Sequence, residues 1–118
     1  MAEERRESPR TKSRLTAVFK DLETGRVQRV LTKDLSSKGV CLVTEGLLRP
    51  GTRLQVDLQL PDRATPLTVQ AEVVWSRAVD EPGTSDEVPT VETGVIFTHL
   101  SPTELTLIKH YAAIYGFP

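Results

Sequence analysis

Three arginines, Arg5, Arg6 and Arg10, crowd the stretch RRESPR near the start of the chain, with no apolar residue among them to anchor it. Arginine's planar fork of donors grips a phosphate or a pair of adjacent acceptors in a bidentate way and stacks on flat rings, which lysine's point charge does not. A second stretch, DLSSKG at residues 34–39, brings together a carboxylate (Asp34), a hydroxyl (Ser36) and a glycine (Gly39). Asp34 accepts hydrogen bonds that arginine can only donate, and Ser36 does either. Gly39 permits close backbone approach or a positive φ. Taken alone, the arginines read as a solvated tail, and DLSSKG as a tight turn with Asp and Ser capping backbone amides.

Other candidate chemistry is thin. His99 and His110 stand apart from any Cys or acidic partner at metal-ligand spacing. Ser36 has no histidine close in sequence to activate it. Paired carboxylates occur only in DEPGTSDE, residues 80–87, where solvation is the default. The single cysteine, Cys41, excludes a disulfide framework and multi-cysteine metal clusters, and its apolar neighbours make it a small strand residue. Nothing in the sequence supports catalysis, so the chain reads as a binding protein, with no cofactor.

Composition narrows the partner. Fifteen Lys and Arg stand against sixteen Asp and Glu, so no chain-wide basic field for DNA or RNA exists. The charge is uneven, however: residues 5–14 carry Arg5, Arg6, Arg10, Lys12 and Arg14 against Glu7 alone. A local anion site fits that distribution. No apolar run reaches the roughly 20 residues of a membrane span, and the N-terminus lacks a secretory signal's apolar segment. A reducing, cytoplasmic setting is expected.

The elements that must position these groups are mostly strands. RLTAVFKD (from residue 14) and RVQRVLTKD (from 26) form a hairpin about Glu23-Thr24-Gly25. GVCLVTE (from 39) is more continuously apolar, as if buried on both faces. After Pro50-Gly51, TRLQVDLQL turns Leu54, Val56, Leu58 and Leu60 to one side and Arg53, Gln55, Asp57 and Gln59 to the other. LTVQAEVVWSRAV (from 67) places Leu67, Val69, Ala71, Val73 and Trp75 on a common face, with Trp75 filling the core. Residues 80–90 make a polar loop, and TGVIFTHL (from 93) is the last strand. The period then changes. Ser101, Pro102 and Glu104 open a helix over residues 101–116 with a capping box, and Gly116 and Pro118 stop it. Six short strands and one amphipathic helix predict an all-β dominated fold: a small antiparallel β-barrel, the helix covering an open end or edge.

The pair RxxxR (Arg6 to Arg10) and DxSxxG (Asp34 to Gly39), in that order and separated by one hairpin, resembles the signature of PilZ domains, receptors for the bacterial second messenger cyclic di-GMP. The PG turn, the VVW and TGVIF strands and the terminal helix are also similar to that family, so the likeness covers nearly the whole chain. Arg10 and Arg14 form an overlapping RxxxR, but Arg14 directly precedes the first strand, whereas the family's second arginine stands a few residues before it.

The resemblance implies a six-stranded split-barrel domain over residues 13–118 and a flexible N-terminal arm over 1–12. Arg6 and Arg10 close over cyclic di-GMP, Asp34 takes the guanine N1 and N2 donors, Ser36 meets a base edge or phosphate, and Gly39 lets the ligand approach. Arg5, just before RxxxR, resembles family versions that take a stacked pair of ligand molecules. Two departures stand out: Lys38, where the family often has a small or apolar residue, and Glu7, a like charge near the phosphates. With no output domain in 118 residues, the signal is expected to pass to a separate protein partner. The rival within the family is an adaptor that works without nucleotide.

Overall fold

Two-residue alternation turns most of the chain into sheet, and the sheet closes. The computed structural model describes residues 15–61, 63–79 and 90–115. Its strands are β1 (Thr16–Asp21), β2 (Val27–Leu35), β3 (Gly39–Thr44), β4 (Arg53–Leu58), β5 (Leu67–Val79) and β6 (Thr90–His99), followed by the helix α1 (Pro102–Tyr115). They form a closed barrel in the order β1-β2-β3-β6-β5-β4, antiparallel throughout. Six strands, closure and a terminal helix agree with the sequence reading.

Turn chemistry sets the first hairpin. The Asp21 carboxylate accepts from the amides of Glu23 and Thr24 at 2.8 and 3.2 Å, and Gly25 supplies the positive φ of 80°. On β4, Leu54, Val56 and Leu58 point inward and are fully buried, joined by Leu60 just beyond. Each such side chain withdrawn from water contributes about 1.5–3 kcal/mol.

Closure leaves no sheet edge to cover. The helix instead sends Ile108, Tyr111 and Ala112 into the barrel's own core cluster and packs against β2. Its first turn is held by the expected capping box. The Ser101 amide donates to Glu104 Oε1 at 2.9 Å, and the Glu104 amide donates to Ser101 Oγ at 3.1 Å.

Three details differ from expectation. β6 begins at Thr90 rather than Thr93, which brings Glu92 into the ladder opposite Val43. The rest of the expected polar loop, 80–89, lies outside the described residues. β3 is not buried on both faces: Val40, Leu42 and Thr44 are buried, while Gly39, Cys41 and Val43 are half-covered on the outer side. Trp75 does not enter the core; it is 38 % exposed. The cause is a change of phase in β5, which also builds the site.

Candidate ligand-binding site

Two irregularities at one level of the barrel turn chemistry outward. In β2 the pairing runs Thr32 to Leu42 and then Asp34 to Cys41, so Lys33 is an extra residue. Thr32 and Leu35 are both buried, and Thr32 Oγ1 accepts from the Leu15 amide at 2.8 Å. With both ends of the step held inside, Lys33 and Asp34 lie on the outer face. An unbroken alternation would have turned Asp34 into the core. In β5, Val73 pairs with Val95 and Trp75 with Gly94, so Val74 is the extra residue. Ser76 then faces inward, its hydroxyl 2.8 Å from Thr93 Oγ1, itself 3.0 Å from Thr44 Oγ1. That hydroxyl chain, buried at Thr93 and Thr44, fixes the new phase, and Trp75 and Arg77 face out.

The two steps meet on one row. Asp34 lies opposite Cys41, Cys41 opposite Gly94, and Gly94 opposite Trp75. Side chains on such a row share a face, and three strand spacings separate its ends by about 14 Å. The row crosses a pocket of about 420 Å³ on the outside of the barrel. Asp34, Ser36 and Gly39 line one side, and Trp75, Gly94 and Ile96 the other.

The polar side of the pocket is a built turn. Ser36 Oγ accepts from the amides of Lys38 and Gly39, each at 3.2 Å, and the Ser36 amide donates to the Gly39 carbonyl at 2.9 Å. Of the two reasons for a glycine at 39, close approach is the one observed, since only Gly25 and Gly51 have positive φ among the described residues. A Cβ on Gly39 would meet the Val95 carbonyl oxygen at 2.1 Å. Strand β6, not a ligand, is what approaches. Lys38 is exposed at the pocket's rim.

The opposite side is aromatic. The Trp75 indole lies on Gly94, where a Cβ would fall 2.4 Å from its Cε2 and Nε1. The Arg77 guanidinium carbon stands 5.1 Å from the ring centroid, a cation–π distance. Sequence reasoning missed Trp75 and Gly94 as site residues. The signal was present: VVW breaks a strict alternation with two adjacent valines, as Lys33-Asp34 breaks it between Thr32 and Leu35. Asp34, Ser36 and Gly39 come together at the pocket. Arg5, Arg6, Arg10 and the overlapping Arg14 lie outside the described residues.

With this geometry in place, comparison decides the family. The family model for the PilZ domain matches residues 4–113. The chain belongs to the PilZ domain family. Its fold is similar to the PilZ domain with c-di-GMP of YcgR from Escherichia coli, with a TM-score of 0.66 at 18 % identity over 86 % of this chain and 81 % of that one. It is also similar to the Bacillus subtilis inhibitor of motility MotI/DgrA, with a TM-score of 0.63 at 16 % identity over 87 % of this chain. There it spans only 46 % of the longer protein. No curated protein sequence matches it. Among the described residues of this PilZ domain no helix is long and apolar enough to cross a membrane, and no group of three or more His, Cys, Asp or Glu is placed to hold a metal ion.

Electrostatics centre on the floor of the PilZ pocket. Burial, aided by the carboxylates of Glu92 and Asp34, pushes the Cys41 thiol up from 9.0 to about 11, against the opposing pull of Lys33 and Arg77. The sign is that of a group whose charged form the fold disfavours. Two pH units mean about a hundredfold less thiolate at neutral pH, and thiolate is the nucleophile. Alkylation of Cys41 by iodoacetamide at pH 8 is therefore expected to run about a hundredfold slower in the folded protein than in urea, with the gap narrowing above pH 10. Equal rates in the two states would contradict this placement of the thiol.

Proposed function

We propose that this PilZ domain is a receptor for cyclic di-GMP, bound on the outer face of β2-β3-β6-β5. The observation that carries the reading is the meeting of Asp34, Ser36 and Gly39 with Trp75 around one pocket. Each wall has a matching part of the ligand. Asp34 accepts from guanine N1 and N2, and Trp75 offers a face for a purine, a stacking contact worth about 1–3 kcal/mol per base. The phosphates call for cations, and Arg6 and Arg10 of the N-terminal segment supply them. A bidentate arginine on guanine O6 and N7 contributes about 1–3 kcal/mol more. Four contacts of this size, from two arginines, Asp34 and one stacked base, give a gross total of about 4–12 kcal/mol, which brackets the roughly 8 kcal/mol of a micromolar complex before ordering a segment subtracts a few kcal/mol. The YcgR likeness, to a domain with c-di-GMP, supports the same choice of ligand.

The protein acts as a cytoplasmic receptor without enzymatic activity and passes the signal to a protein partner. Likeness to an inhibitor of motility favours an output through protein contact, with or without nucleotide. Calorimetric titration with cyclic di-GMP separates receptor from nucleotide-independent adaptor. The receptor gives saturable heat, lost in Arg6→Ala and Arg10→Ala. Two ligands per chain are expected if Arg5 serves a stacked pair, because doubled phosphate charge needs another cation. Absence of any heat favours the adaptor. Binding that survives both substitutions removes these arginines from the site.

A further inference from the structure

The ion pair between Lys33 and Glu92 belongs to no motif, yet it sits at the step that aims Asp34. Lys33 is the extra residue of β2, and its Nζ lies 2.6 Å from Glu92 Oε2 on β6. The contact reaches over β3 and ties β2 to the strand beneath the Trp75 ring. Glu92 keeps only 7 % of its side-chain exposure, and Lys33 keeps 31 %. A carboxylate withdrawn so far from water needs its partner, so the pair is held tightly and the lysine is not free to wander. Lys33 and Asp34 are neighbours on one outer face, both set opposite β3. Where Lys33 is fastened, the backbone between Thr32 and Leu35 is fastened too.

We propose that the Lys33–Glu92 pair is a positioning device: it pins the outward step of β2 and thereby sets the aim of Asp34 into the pocket. The proposal rests on the cyclic di-GMP reading for its consequence, but the pin itself has a readout without ligand. It also accounts for a glutamate in the ladder at a position where the outer face otherwise presents Gly94 and Ile96. Bulges are local loosenings of a ladder, and one that carries a ligand contact gains accuracy from a cross-strand tether.

The test pairs amide hydrogen exchange with titration. In Lys33→Met/Glu92→Met, which replaces both charges by apolar side chains, exchange at Asp34 and Leu35 is expected to speed up at least tenfold. Amides of the β1–β4 pairing should stay unchanged. Affinity for cyclic di-GMP is expected to fall about tenfold in that variant, yet less than twofold when the same change is made on an Asp34→Ala background. A general loss of structure would lower affinity equally on both backgrounds. Should the double variant fail to fold, Glu92→Gln keeps the side chain's shape and is expected to show the same pattern at several-fold size. Lys33→Arg, which restores a pair, should recover the affinity lost in Lys33→Met. Unchanged exchange, or equal losses on the two backgrounds, overturns the positioning role while leaving the receptor reading intact. A parent protein that binds no cyclic di-GMP overturns the receptor reading, and with it the consequence for affinity.

Discussion

Gly39→Ala is expected to destabilise the fold by about 3 kcal/mol and to lower the melting midpoint by about 10 °C, as a backbone overpacked against a backbone cannot relax by a rotamer change. The new methyl would stand 2.1 Å from the Val95 carbonyl oxygen and 3.1 Å from the Ile96 Cα. Relief requires β3 to move off β6, which disturbs the pairing of Gly39 with Ile96 and of Val40 with Val95. Ser36 is drawn in as well, because its hydroxyl and amide both bond to Gly39. Thermal unfolding by circular dichroism measures the first effect. An unchanged midpoint would show that the ladder there has slack. Gly94→Ala makes the contrast, since its methyl meets an indole ring rather than a main chain. The ring can swing away, so the cost falls on the pocket wall.

Arg6→Ala and Arg10→Ala are each expected to weaken cyclic di-GMP binding by about 10- to 100-fold, the span of a charge-assisted bond of about 1.5–3 kcal/mol. Lysine at either position should recover little, because a point charge neutralises a phosphate without matching the paired acceptors of guanine. If both arginines close on one ligand, the second substitution removes less than the first, as neighbouring contacts are not additive. Raising salt should weaken the parent more than either variant, since exposed charges are screened. Calorimetry at two ionic strengths reads both effects. Wild-type affinity in Arg6→Ala would shift the cationic role elsewhere, with Lys38 at the pocket's rim and Arg77 beside Trp75 as described alternatives.

The barrel was legible because hydrophobic alternation and turn chemistry agree along most of the chain. Leu54, Val56, Leu58 and Leu60 faced inward as their spacing required, and Ser101 and Glu104 capped the helix as their spacing required. Closure was less legible. It depends on β6 lying between β3 and β5, a pairing remote in sequence that no local pattern encodes.

The polar half of the site could be read from DLSSKG, since a short motif carries its own turn. The aromatic half could not be read by counting every second residue. One extra residue at Val74 inverts the phase, so Trp75 leaves the core set to which strict alternation assigned it. The same device at Lys33 brings Asp34 outward. Both bulges are departures from regular sheet, and both announce themselves as doublets: two apolar residues in VVW, two charged ones in KD. Glu92 was missed for another reason. It fell between the residues read as a loop and those read as the last strand, and its ion pair with Lys33 offsets the cost of burying a carboxylate there.

Trp75 is the chain's only tryptophan, so its emission reports on one place alone. If cyclic di-GMP seats a guanine between Asp34 and this indole, titration should change that emission along a saturable curve, and Asp34→Ala should shift the curve to higher ligand concentration. Emission that stays flat through millimolar cyclic di-GMP would contradict a ligand seated in this pocket.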